Sequence, residues 1–147
     1  MSAGKERETA EQRSYEGSCL CGGVRYRVRG PLGPLDNCHC TDCRKSHGAA
    51  FATYLEVPAK SLEYLAGRDT LRTYAAESGT KRSFCPTCGS TLICWVDSEP
   101  DLVEVAAGTL DTPLRARIVS HTFVRSKAPW YEIQDGAPQY ATTKSAG

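Results

Sequence analysis

Apolar and polar positions alternate along this chain over short stretches, a period of two that predicts half-buried strands rather than helices. The run Val24-Arg-Tyr-Arg-Val28 places Val24, Tyr26 and Val28 on one face and two arginines on the other. Ala50 to Val57 is rich in apolar and β-forming residues, and Pro58 closes it. Ser61 to Leu65 and Leu71 to Ala75 flank a turn from Ala66 to Asp69, and this spacing predicts a hairpin. Thr91 to Val96 and Leu102 to Ala106 read as two further strands about the polar turn Asp97 to Asp101, and Ser120 to Val124 as one more. Helical signals are confined to one turn after Cys40 and one around Pro58 to Ser61. Many short strands at close spacing predict a mainly β domain of sandwich or barrel-like form.

The pattern fades at both ends. Met1 to Arg13 is highly charged, and Asp135 to Gly147 is small and polar apart from Tyr140. The expected organisation is therefore one domain over residues 14–134 between two mobile tails, residues 1–13 and 135–147. At 147 residues with 40% hydrophobic content, the chain has room for one modest core. A net charge of +1 gives no general attraction for nucleic acid or an anionic membrane. The N-terminus lacks the apolar core of a secretory signal, and no apolar run approaches the ~20 residues that span a bilayer. A cytoplasmic protein is expected, without nucleic-acid or membrane partners; the oligomeric state stays open, a homodimer being one option.

Eight cysteines change this plain picture, because seven of them are clustered. In a reducing compartment such clusters hold metal or do chemistry rather than pair as disulfides. Cys85-Pro-Thr-Cys88-Gly89 has the form of a zinc knuckle, and Cys19-Leu-Cys21-Gly22 repeats the device with one residue fewer. Together Cys19, Cys21, Cys85 and Cys88 supply the four thiolates of a closed structural zinc site. Cys38, Cys40 and Cys43 supply three more, enough for a second zinc with one coordination position left. Either that position is open for chemistry, or His39, Asp42, His47, Cys94 or His121 fills it and the site is structural. Cys94, within an apolar strand, reads as a buried thiol. Arg44 and Lys45 follow the trio directly and are candidates for holding an anionic substrate, with Arg82, Arg125 and Lys127 as further basic groups.

These motifs taken together resemble the glutathione-dependent formaldehyde-activating enzyme family, which includes centromere-protein-V-like members. The stretches that carry the resemblance are Gly17 to Tyr26, Cys38 to Lys45, Phe84 to Gly89, Gly108 to Leu110 and Lys127 to Trp130. They run in order over about Tyr15 to Ile133. The resemblance implies a β-tent fold, antiparallel sheets leaning together and clamped by a structural zinc on Cys19, Cys21, Cys85 and Cys88. It implies a second, functional zinc on Cys38, Cys40 and Cys43, hence two Zn2+ per chain. The implied activity is that of a carbon–sulfur lyase joining a thiol, glutathione, to formaldehyde to give S-hydroxymethylglutathione. A zinc-stabilised binding or scaffold domain without catalysis is the alternative that the motifs alone leave standing.

Overall fold

The computed structural model describes residues 7–144. The outermost parts of the two expected tails, 1–6 and 145–147, lie outside the described residues. Ten strands and one short helix follow one another: β1 (Ser14–Ser18), β2 (Arg25–Arg29), β3 (Leu35–Cys38), α1 (Thr41–His47), β4 (Ala52–Pro58), β5 (Leu62–Ala66), β6 (Arg72–Ala75), β7 (Thr80–Phe84), β8 (Thr91–Val96), β9 (Leu102–Ala106) and β10 (Ser120–Thr122). They form a three-stranded sheet in the order β1-β2-β5 and a seven-stranded sheet in the order β10-β3-β4-β9-β8-β7-β6. All pairs are antiparallel except β10 with β3. The chain is mainly β, as its periodicity predicts.

Alternation along the strands gives the large sheet two different faces. Leu55 and Val57 of β4, Ile93 of β8 and Val105 of β9 turn towards the small sheet, where Val24, Tyr26 and Val28 meet them in the main core. The neighbours Ala52, Tyr54, Cys94 and Ala106 turn the other way and form a second buried cluster with Cys43 of α1. One face thus builds the fold, and the other receives the helix that carries cysteines.

Two expectations are corrected. The segments Ser61 to Leu65 and Leu71 to Ala75 do not form a hairpin: β5 pairs with β2 and β6 with β7, in different sheets. Leu62 and Tyr64 of β5 pack on the main core, whereas every residue of β6 is exposed, so the two strands share no buried face. Gly67 lets the chain leave β5 in the left-handed region (φ 77°), passing so close to Gly23 that a Cβ would sit 2.2 Å from its carbonyl oxygen. The second correction concerns the C-terminal segment, which is not loose over 135–142. Backbone bonds join His121 N to the Pro138 carbonyl, Tyr140 N to the His121 carbonyl and Phe123 N to the Thr142 carbonyl at 2.8–3.0 Å. Polar composition hides this because β10 supplies the partners for its backbone groups.

Candidate functional site

The two cysteine groups of the sequence come together in space as two separate clusters. In each, one sulfur per residue lies within 4.8 Å of the others: Cys19, Cys21, Cys85 and Cys88 in one, Cys38, Cys40 and Cys43 in the other. In the first, Cys19 Sγ is 3.5 Å from Cys21 Sγ, which is 3.8 Å from Cys85 Sγ. Four sulfurs about 2.3 Å from one tetrahedral ion stand roughly 3.8 Å apart, so this donor set fits a metal. The Val24 amide donates to Cys19 Sγ at 3.2 Å, and the Ser90 hydroxyl lies 3.3 Å from Cys88 Sγ. The bond with Ser90 is the main cause holding the Cys88 thiol down at about 5.

The second cluster is built by the start of a helix. Cys38 ends β3, Cys40 caps α1 with its sulfur accepting from the Cys43 amide at 3.2 Å, and Cys43 occupies the first turn. Gly48 closes the helix in the left-handed region (φ 58°), and its amide returns to the Arg44 carbonyl. The three sulfurs compete for protons. Hydrogen bonds from Cys38 and Cys43 pull Cys40 down to about 2, while those with Cys38 and Cys40 push Cys43 far up. One anion is welcome there, and three are not unless a cation offsets them. This donor chemistry fits a divalent ion. Among the described residues, no fourth His, Cys, Asp or Glu donor joins the trio.

Around the trio the large sheet supplies a polar row. Arg82 of β7 is buried and donates from Nη2 to Cys43 Sγ at 3.6 Å. The Tyr54 hydroxyl of β4 lies beside it and meets His47 Nε2 at 3.0 Å. Burial pushes the Tyr54 phenol far up, so it stays protonated. Cys94 lies opposite Arg82 in the strand register and is pushed up to about 11, chiefly by burial. Beside α1, a cavity of about 420 Å³ is lined by Ser46, His47, Thr53, Ser90, Thr91 and Thr109 together with small and apolar residues. It adjoins the helix of one cluster and the knuckle of the other.

The remaining residues singled out by sequence fall in varied places. His39, between two trio cysteines, is fully buried and turns to His121, Nε2 to Nδ1 at 2.8 Å. His121 Nε2 in turn lies 2.8 Å from Asp135 Oδ2. Burial, and then the neighbouring His121, lower His39 to about 4. Arg44 donates to the Ser126 carbonyl at 3.0 Å and keeps a buried Nε without a protein partner. Lys45 is exposed, and neither residue lines the cavity. Lys127 is tied to the Ala128 and Tyr131 carbonyls. Tyr54 and Asp135 escaped sequence reasoning. Tyr54 sits inside an apolar run, and Asp135 in a segment of disordered composition; only the register shows what each meets.

A small, mainly β chain with one four-cysteine and one three-cysteine centre defines the class. Residues 14–126 match the sequence pattern of the family described as glutathione-dependent formaldehyde-activating enzyme, and the chain belongs to that family. A Halomonas elongata protein, named provisionally as a glutathione-dependent formaldehyde-activating enzyme, is 35% identical over 127 residues, covering 81% of this chain and 80% of that protein. An uncharacterized lyase of Schizosaccharomyces pombe is 31% identical over 78 residues, covering 53% of this chain and 55% of its own. A crystal structure of a Rhodobacter sphaeroides protein superposes with a TM-score of 0.58 at 24% identity, over 68% of this chain and 91% of that one, a likeness of fold. Among the described residues, no helix is long and apolar enough to cross a membrane.

Proposed function

We propose that this protein is a zinc-dependent carbon–sulfur lyase that reversibly adds a thiol, glutathione, to formaldehyde or a similar small carbonyl. The observation carrying this reading is the unequal donor count: four sulfurs in one cluster and three in the other. On this reading Cys19, Cys21, Cys85 and Cys88 hold a structural zinc that clamps the two sheets of a β-tent. Cys38, Cys40 and Cys43 would hold a second zinc with three protein ligands, which would leave it able to take a substrate thiol. Zinc bound there lowers the pKa of a thiol in that position and so supplies thiolate at neutral pH.

The reaction needs no oxidant. The thiol sulfur attacks the carbonyl carbon, a C–S bond forms, and the carbonyl π pair moves onto oxygen, which takes up the proton lost by the thiol. The product is the S-hydroxymethyl adduct. The chain's own residues serve this addition in three ways. Arg82 offsets part of the negative charge collected at Cys43. The protonated Tyr54 hydroxyl, held by His47 Nε2 at 3.0 Å, adds a neutral polar group beside that guanidinium. The hydroxyl-lined cavity beside α1 offers hydrogen-bonding partners to a peptide-like thiol, and Arg44 and Lys45, in the last turn of α1 and outside that lining, are the proposed charges for its carboxylates. The expected setting is the cytoplasm, where glutathione is abundant and thiols stay reduced.

Exchange NMR of the glutathione–formaldehyde adduct tests the proposal, because it separates catalysed from spontaneous exchange. Native protein should speed exchange well above the protein-free rate, and Cys40→Ser should return it to that background. Equal exchange with native and Cys40→Ser protein would leave the family's fold without this activity.

A further inference from the structure

Two imidazoles are buried side by side where the site chemistry above makes no use of them. His39 and His121 are 0% and 1% exposed, and His39 Nδ1 has no protein partner. Leaving such an atom unpaired in a core is costly, so the arrangement calls for a reason. Its members come from three places in the chain. His39 stands between Cys38 and Cys40, His121 is the middle residue of β10, and Asp135 begins the C-terminal segment. Only Asp135 reaches solvent, with 44% of its side chain exposed.

The bonds fix direction as well as distance. An ionised Asp135 only accepts, so His121 carries a proton on Nε2, facing Oδ1 and Oδ2 at 3.0 and 2.8 Å. With both rings neutral, His121 Nδ1 is then an acceptor, and the 2.8 Å contact requires the proton of His39 on its Nε2. Each ring is thus held in one tautomer and one orientation. The backbone is tied at the same places: His39 N donates to the Thr122 carbonyl at 2.9 Å, and His121 N and O bond the segment 138–140 at 2.8 Å. Phe51 and Tyr131 flank the His39 ring at 5.2 and 6.3 Å between centroids.

We propose that Asp135 is a positioning residue: through His121 and His39 it fixes the loop that makes Cys38 and Cys40 converge with Cys43. This rests on the reading of the trio as a metal centre, and it makes the C-terminal segment part of that centre. Asp135 itself touches neither cysteines nor substrate.

Full-length Asp135→Ala and Asp135→Asn proteins test this, the second keeping an acceptor for His121. The first measurement is zinc(II) release to a chromophoric chelator, resolved into two phases per chain. The native protein should show both phases; a single zinc per chain would sink the metal reading of the trio, not the positioning role. Asp135→Ala should release one zinc about tenfold more readily while the other phase is unchanged, and Asp135→Asn should lie closer to native. The second measurement needs no metal. Long-range nitrogen–proton NMR should show His39 and His121 protonated at Nε2 in the native protein. Asp135→Ala should mix the tautomers and shift the amides of residues 38–43. Native-like release together with unmoved 38–43 amides would overturn the proposal, as would equal loss at both zinc sites, which marks general destabilisation.

Discussion

At the scale of single residues, charge placement on the outer face of the large sheet has a direct consequence for stability. Glu104 of β9 lies opposite Glu56 of β4 and Cys94 of β8, and its carboxyl is raised from 4.5 to about 7, first by burial and then by Glu56 and Asp36. Between those two values the folded chain holds a proton that the unfolded chain has lost. Stability therefore falls as pH rises through that window, and the full cost is present above about 7. Glu104→Gln should be more stable than native protein by roughly 1–2 kcal/mol at pH 8, a figure reduced for the partial exposure of the carboxyl, and equal to it near pH 4. Urea titrations at the two pH values check this; equal midpoints at pH 8 would contradict the assigned shift.

At the scale of elements, the passage from β5 to β6 sets how the two sheets separate. Gly67 turns with φ 77° against the Gly23 carbonyl, in the loop beside Cys21. Gly67→Ala combines a left-handed alanine with a backbone clash and should cost about 1–3 kcal/mol. Thermal melts would show it, and an unchanged Tm would mean that the turn relaxes freely. The same region shows what the sequence could and could not tell. Strands with clean alternation, such as Val24 to Val28, were legible because their inward residues are apolar. Strand β7, Thr-Lys-Arg-Ser-Phe, was not, because it buries Arg82 and Ser83, polar residues that find partners in Cys43 and the Ile93 carbonyl. Nor was β3, where Leu-Asp-Asn-Cys gives no period. The hairpin expected from Ser61 to Ala75 failed since turn residues announce a reversal but not which strand comes to lie alongside. The cysteines that spacing groups also lie together in space, because residues two and three apart on a tight turn have few other ways to point. The histidine pair was invisible for the opposite reason: its members are 82 residues apart.

Taken as a whole molecule, the chain is tied across its length at the four-cysteine cluster. That cluster joins the loop after β1 to the loop after β7, sixty-four residues apart at Cys21 and Cys85. If it holds zinc as proposed, the apparent binding energy of about 10–16 kcal/mol is comparable with the whole stability of an ordinary domain, about 5–15 kcal/mol. Cys85→Ser, or a strong chelator, should abolish the cooperative melting transition rather than lower it by a few degrees. A melt with native midpoint and steepness would assign the stability to the apolar core instead.

Strand β7 adds a consequence to this dependence. Its Arg82 touches the trio, and Cys85, one residue past its end, belongs to the four-cysteine cluster. Among the described residues, no hinge separates the two clusters along this strand. Strain arising at the knuckle reaches the three-cysteine cluster within three residues, so on the proposed reading the frame has little scope to loosen while that site stays in tune.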